Sequence, residues 1–232
     1  NGAPAGEFDM AEILGQETAK RAMEIAAAGG HNILLTGSPG AGKTMLARAL
    51  PGVLPLLSEE ESLEVSKVYS AAGYIPPGGS LIRVRPFRSP HHTISQIGLT
   101  GGGAKPQPGE ITLAHRGVLF LDEFNEFPRS VLEALRQPVE DGKITISRSS
   151  GRVSYPSGFM LVASANPCPC GFLNHPKKTC NCTPREIHKY HKRVSGPIID
   201  RIDLHVDTPD VDVQELSQDA SAERFLESSA VI

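Results

Sequence analysis

Residues 37–44 run Gly37-Ser38-Pro39-Gly40-Ala41-Gly42-Lys43-Thr44 and satisfy the phosphate-loop pattern G-x-x-x-x-G-K-[ST] at every position. The flanks fix what the loop can belong to. Asn32-Ile33-Leu34-Leu35-Thr36 predicts a short buried strand, and Met45-Leu46-Ala47-Arg48-Ala49-Leu50 predicts a helix that Pro51 and Gly52 stop. Strand, glycine loop and helix in this order turn successive backbone N–H groups inward, and the helix N-terminus adds the positive end of its dipole, so the loop suits a polyphosphate. In such a loop Lys43 reaches the β- and γ-phosphates and the Thr44 hydroxyl holds Mg²⁺. A chance glycine-rich turn is the alternative, and the strand and helix on either side weigh against it.

A second stretch completes the chemistry. Gly117-Val118-Leu119-Phe120-Leu121-Asp122-Glu123 reads as a buried parallel strand with two carboxylates at its C-terminal end. Asp122 would bind Mg²⁺, directly or through water, and Glu123 would orient and deprotonate the attacking water. Residues 158–166 form another apolar run, ending in Asn166, whose amide would hold that water beside the γ-phosphate. Arg201 stands after a short helix and before the strand Leu204-His205-Val206, the place of an arginine finger in ring ATPases. An ion pair with Asp200 or Asp203 is the alternative for Arg201. As a finger it would serve the neighbouring subunit's site, so the active form would be an oligomer.

These strands imply an α/β fold: a P-loop NTPase core with a five-stranded parallel sheet between helices, a β-hairpin insertion and a cysteine-rich loop. Residues 9–28 read as an amphipathic helix region closed by Gly29-Gly30. Within it Gly15-Gln16 takes a place that lies near the adenine in many nucleotide-binding ATPases; a packing turn is the alternative. Residues 58–72 read as a helix opened by the capping box Ser58-Glu59-Glu60-Glu61. Residues 81–88 look like a strand with basic residues on one face, leading to Ser89-Pro90-His91-His92-Thr93, where both histidines read as loop-structuring, with a part in the chemistry as the alternative. Residues 98–109 hold five glycines and two prolines, too many for a helix or strand. Residues 130–139 read as a helix, and residues 143–147 and 153–156 as a β-hairpin. Arg148 and Arg152 near its tip either face solvent or contact phosphate backbone in a ring's central pore.

All four cysteines fall within fifteen residues, as Cys168-Pro169-Cys170 and Cys180-Asn181-Cys182, spaced C-x-C, nine residues, C-x-C. Two such knuckles can close a tetrahedral zinc site, and the insert at 167–184 has too few apolar residues to fold unaided. His175 lies between the pairs and could replace a thiol. Free thiols and a redox role remain open. Residues 183–194 read as a basic helix with a solvated face.

The bulk numbers add limits. In 232 residues, 23 basic against 26 acidic side chains leave −3, with no global basic excess to announce nucleic acid. No apolar run approaches a membrane span, so no membrane partner is expected and the chain reads as cytoplasmic. Residues 1–7 read as a linker or cloning remnant, 8–208 as the ATPase core, and 209–232 as the start of a truncated C-terminal region.

On residues 37–44, Arg85-Pro86-Phe87-Arg88-Ser89-Pro90-His91-His92-Thr93, 109–123, 166–170, Cys180-Asn181-Cys182 and 195–203, the chain resembles the AAA+ superfamily. More narrowly it is similar to the magnesium-chelatase-like ATPases, and within them to the ComM (YifB-type) family. The resemblance implies an ATP-hydrolysing, Mg²⁺-dependent hexameric ring, similar to DNA helicases that drive branch migration during uptake and recombination of transforming DNA. Single-stranded or branched DNA would be its partner. A chelatase-type motor that remodels a protein partner for metal insertion is the alternative, and a nucleotide switch with little turnover a third. Family members also carry a preceding Lon-like domain and a following helical lid, so this chain reads as a fragment.

Overall fold

The computed structural model describes residues 8–210 apart from 77, 104–106, 149–150, 195 and 197. The expected linker at 1–7 and most of the C-terminal region, 211–232, lie outside the described residues.

The elements in chain order are α1 (Glu17–Gly29), β1 (Ile33–Thr36), α2 (Lys43–Val53), α3 (Glu59–Ala71), β2 (Phe87–Arg88), α4 (Gln96–Thr100), β3 (Gly101–Gly102), β4 (Gln107–Pro108), α5 (Glu110–Leu113), β5 (Val118–Leu121), α6 (Arg129–Ala134), α7 (Arg136–Asp141), β6 (Lys143–Arg148), β7 (Gly151–Pro156), β8 (Met160–Ala165), α8 (Pro184–Val194) and β9 (Leu204–Asp207). Five strands form one sheet in the order β2-β5-β8-β1-β9. All its pairings are parallel; Ile33, for instance, lies opposite Val162 on one side and Leu204 on the other.

The sheet is sandwiched, which explains why β1, β5 and β8 read as apolar runs rather than alternations. Every residue of β5 and β8 is buried. Leu34, Leu119, Leu121, Leu161 and Ala163 face a cluster with Ile111, Val131, Leu132 and Ile198. Ile33, Leu35, Val118, Phe120, Met160 and Val162 face the opposite cluster with α1 and α2. This is the expected five-stranded, doubly covered α/β sheet. The hairpin of β6 and β7 stands apart as a separate two-stranded pair.

Several element expectations change. The amphipathic region 9–28 splits into a 3₁₀ turn, Met10–Glu12, and α1, because Gly15 and Gln16 both adopt left-handed backbone, with φ of 64° and 62°. The helix after the phosphate loop does not stop at Pro51 but runs to Val53. Leu50, Pro51, Gly52 and Val53 are all buried, and that packing outweighs one missing N–H in the last turn.

The strand expected over 81–88 shrinks to Phe87–Arg88. Upstream, side chains of α3 replace a ladder: the Ser62 hydroxyl donates to the Ile82 carbonyl at 2.5 Å, and Ser66 Oγ accepts from the Ile82 N–H at 2.8 Å. Arg85 bonds the carbonyls of Pro55 and Arg116 and the Glu61 carboxylate. The glycine-rich stretch is not free of regular structure either. Ser95 caps α4 through the Gly98 N–H, and β3 pairs with β4, where Gly101 at φ 87° comes so close to Gln107 that a side chain would clash. The helix expected at 130–139 is two short helices meeting at Leu135.

Candidate functional site

The phosphate loop leaves β1 and enters α2 with Gly40 and Gly42 in left-handed backbone, φ 89° and 85°, which side chains disfavour. It borders a cleft of about 380 Å³ lined by Pro39, Gly40, Ala41, Gly42, Lys43, Thr44, Met45, Asp122, Glu123, Ser164 and Asn166. The cleft lies at the C-terminal ends of β1, β5 and β8, where open α/β sheets bind ligands.

Lys43 Nζ donates to the carbonyls of Gly37 at 2.6 Å and Ser38 at 2.8 Å, and to Asn166 Oδ1 at 3.4 Å. Burial holds its pKa below the usual lysine value, and the carboxylates of Asp122 and Asp210 work against that shift. The Thr44 hydroxyl donates to Asp122 Oδ2 at 3.0 Å. Lys43, Thr44, Asp122, Glu123 and Asn166 therefore meet in one place, although they come from three separate stretches of chain. A hydroxyl and a carboxylate at hydrogen-bond distance beside an ammonium fit a hard divalent cation carried on phosphate oxygens.

Glu123 sits in left-handed backbone, φ 53° and ψ 49°. Such backbone costs of order 1–3 kcal/mol and tends to cluster at functional positions. Its N–H donates to Asp122 Oδ1 at 3.0 Å and to Ser164 Oγ at 3.2 Å, and the Ser164 hydroxyl itself donates to Asp122 Oδ1. Ser164 thus holds the Asp122 carboxylate and the Glu123 backbone. In the sequence it is a lone hydroxyl inside an apolar run; the register that places it opposite Leu35 exists only in the folded sheet.

The paired histidines divide. His91 Nδ1 lies 2.9 Å from Thr93 Oγ1, a loop-structuring contact as expected. His92 Nδ1 instead lies 3.1 Å from Glu123 Oε2, with its ring edge-on to Phe127. Gln16 packs against the phosphate loop: its amide donates to the carbonyls of Ala41 at 2.9 Å and Pro209 at 2.5 Å.

Arg201 is not brought into the cleft. It ends a 3₁₀ turn, Ile199–Arg201, and its carbonyl accepts from Asn32 Nδ2 at 3.0 Å, at the N-terminal end of β1. At about 3.3 Å per residue, the length of β1 separates it from its own phosphate loop. Its guanidinium pairs with Glu140. Arg152 is exposed on β7; Arg148 ends β6, and its side chain and the tip at 149–150 lie outside the described residues.

All four cysteines are free, and their sulfurs lie within 4.8 Å of one another. Cys168 Sγ lies 3.4 Å from Cys170 Sγ and 3.7 Å from Cys180 Sγ, and Cys170 lies 3.6 Å from Cys180. Four sulfurs at about 2.3 Å from one tetrahedral zinc stand about 3.8 Å apart, so the thiols fit that ion. Hydrogen bonds from the Phe172 and Asn181 backbone pull the Cys170 thiol down to about 6, while the crowding of the four sulfurs pushes the Cys180 and Cys182 thiols up. His175 does not replace a thiol: its Nδ1 accepts from the Lys177 and Lys178 N–H groups, and its Nε2 pairs with Asp210.

Comparison with known proteins follows the same lines. The family model for magnesium chelatase, subunit ChlI, matches residues 9–216. The chain is 47% identical over 232 residues to the protein YifB of Salmonella typhimurium, covering 99% of this chain and 44% of that protein. It is 50% identical over 203 residues to the competence protein ComM of Haemophilus influenzae, covering 87% of this chain and 39% of that protein. The chain thus spans less than half the length of these curated relatives. Among solved structures, NtrX from Brucella abortus in complex with ATP superimposes with a TM-score of 0.54 at 20% identity, covering 94% of this chain and 41% of that one, a likeness of fold. Among the described residues no helix is long and apolar enough to cross a membrane.

Proposed function

This chain belongs to the family of the magnesium chelatase subunit ChlI, and from that premise we propose that it is the ATP-hydrolysing core of an AAA+ motor that works as a ring on single-stranded or branched DNA. One observation carries the enzymatic part: Thr44 and Asp122 hydrogen-bond at 3.0 Å on the rim of a cleft that also holds Lys43, Glu123 and Asn166. Bound there, Mg²⁺ would neutralise charge on the β- and γ-phosphates. Thr44 and Asp122 hold that ion, and Lys43 and the backbone of Gly40, Ala41 and Gly42 receive the phosphates. Glu123 takes the proton of the attacking water and Asn166 positions it. Ser164 and His92 fix the two acids.

The ring reading rests on Arg201, which lies away from its own cleft and would serve the next subunit's. The DNA reading rests on the likeness to the competence protein ComM and on the hairpin carrying Arg148 and Arg152. The cysteine cluster supports a structural Zn²⁺, since four thiolates leave no open position for chemistry. The family description also favours a second reading, a chelatase-type motor remodelling a protein partner. Phosphate release with and without branched DNA separates the two. Several-fold stimulation that Arg148→Ala and Arg152→Ala reduce supports the DNA motor; a rate indifferent to DNA supports the protein-remodelling one.

A further inference from the structure

The four-cysteine loop is built directly onto the phosphate loop. β8 ends at Ala165, Asn166 accepts from Lys43, and Cys168 follows two residues later. Gly171 has φ 82°, and a Cβ on it would lie 2.5 Å from Pro39 Cδ, so the cysteine loop's backbone abuts the phosphate loop. A second contact runs through Asp210. Its Oδ1 accepts from the Ser38 hydroxyl at 2.5 Å, and its Oδ2 pairs with His175, whose side chain is 8% exposed. On its far side the loop is held by α8, where His191 Nε2 donates to the Pro167 carbonyl at 2.8 Å.

What keeps this loop in shape is not a core of its own. Between 167 and 182 the non-proline apolar side chains, cysteines aside, are Phe172 and Leu173. A segment so poor in apolar surface holds a fixed shape through a metal or a cross-link, and the cysteines here are free.

We propose that the four-cysteine site is a zinc clasp whose occupancy sets the nucleotide affinity of the phosphate loop beside it. The proposal rests on the nucleotide reading of the cleft. With zinc bound, the loop holds Pro39, Ser38 and Asn166 in the arrangement that Lys43 and the phosphates require. Without zinc, Gly171 and His175 lose their fixed positions, and the phosphate loop must be ordered at the nucleotide's expense. Coupling of this kind is reciprocal, so nucleotide must tighten zinc by the same factor.

The test measures both halves on this chain. Zinc affinity is read by competition with a chromogenic chelator, with and without saturating Mg²⁺-ADP, and ADP affinity by calorimetry on loaded and zinc-stripped protein. The expected result is one zinc per chain, with about tenfold effects in both directions, within the usual range of site-to-site coupling. Chain that takes up no zinc, or zinc and ADP affinities that ignore each other, overturns the proposal. Zinc-loaded chain that fails to bind ADP overturns the nucleotide reading instead. Because stripped protein can unfold, Asp210→Asn supplies a second arm: all four thiols remain, one zinc stays bound, and the coupling factor falls. Unchanged coupling in that variant overturns the route through His175 and Ser38.

Discussion

The Thr44 hydroxyl donates to the Asp122 carboxylate across 3.0 Å, joining the helix after β1 to the end of β5, 78 residues away in sequence. Neither residue is selective for nucleotide alone; beside Lys43, in the proposed function, they would receive a metal-bound triphosphate. Lys43 supplies the positive charge, so Lys43→Ala removes charge-assisted bonds to phosphate. Such bonds are worth about 1.5–3 kcal/mol each, and we expect ADP and ATP affinity to fall about a hundredfold in calorimetry.

Ser164 bonds the Asp122 carboxylate and the Glu123 backbone and carries no charge of its own. Ser164→Ala removes the hydroxyl from the Asp122 carboxylate and the acceptor from the Glu123 N–H. At about 1.5 kcal/mol for one bond to a charged group, turnover should drop about tenfold. Affinity for ADP without Mg²⁺ should stay as it was. A variant that loses ADP binding and turnover together would make Ser164 a folding residue only.

Arg201 should act between subunits. Arg201→Ala is expected to lower turnover about a thousandfold or more, the range for a removed arginine finger, while ATP binding persists. Mixing the Arg201→Ala and Glu123→Gln proteins should restore part of the activity. In a mixed ring, some sites combine an intact Glu123 with a neighbour's intact Arg201. Two inactive proteins that stay inactive when mixed would contradict action in trans.

Acid should weaken the fold through His115. This residue is buried, its Nδ1 accepts from the Gly158 N–H at 3.0 Å, and its Nε2 faces Glu64 at 3.3 Å. Burial, the largest influence, holds its pKa below the usual histidine value despite Glu64. The unfolded chain therefore takes up the proton first as pH falls below about 6.5. Stability is full above that value and declines as pH drops toward the lower folded pKa. Thermal melts from pH 8 to 5 should show this decline, and His115→Gln should flatten it.

Much of this site was legible because its chemistry is local in sequence. The phosphate loop, the Asp122-Glu123 pair and Asn166 each announce themselves at the end of an apolar run, and a parallel sheet aligns such ends. The capping box at Ser58 and Glu61 was legible for the same reason, and forms as read. What stayed hidden depends on partners far away in sequence. Ser164 looks like a polar interruption until β8 sets it beside Asp122. His92 looks like a loop residue until the chain folds it onto Glu123. Residues 81–88 resemble a longer strand because basic and β-branched side chains alternate from Leu81, while α3 side chains satisfy the backbone at Ile82 instead. Left-handed backbone at Gln16 broke a helix that its spacing alone supported.

In the proposed mechanism Glu123 activates water for ATP hydrolysis in the cleft bounded by Lys43, Thr44 and Asp122. Steady-state phosphate release and ATP affinity measured side by side for the wild type and Glu123→Gln test it most directly. Unchanged ATP binding is expected, with turnover lower by about 10²–10⁴, the contribution of a positioned general base. Turnover by Glu123→Gln at the wild-type rate would contradict it.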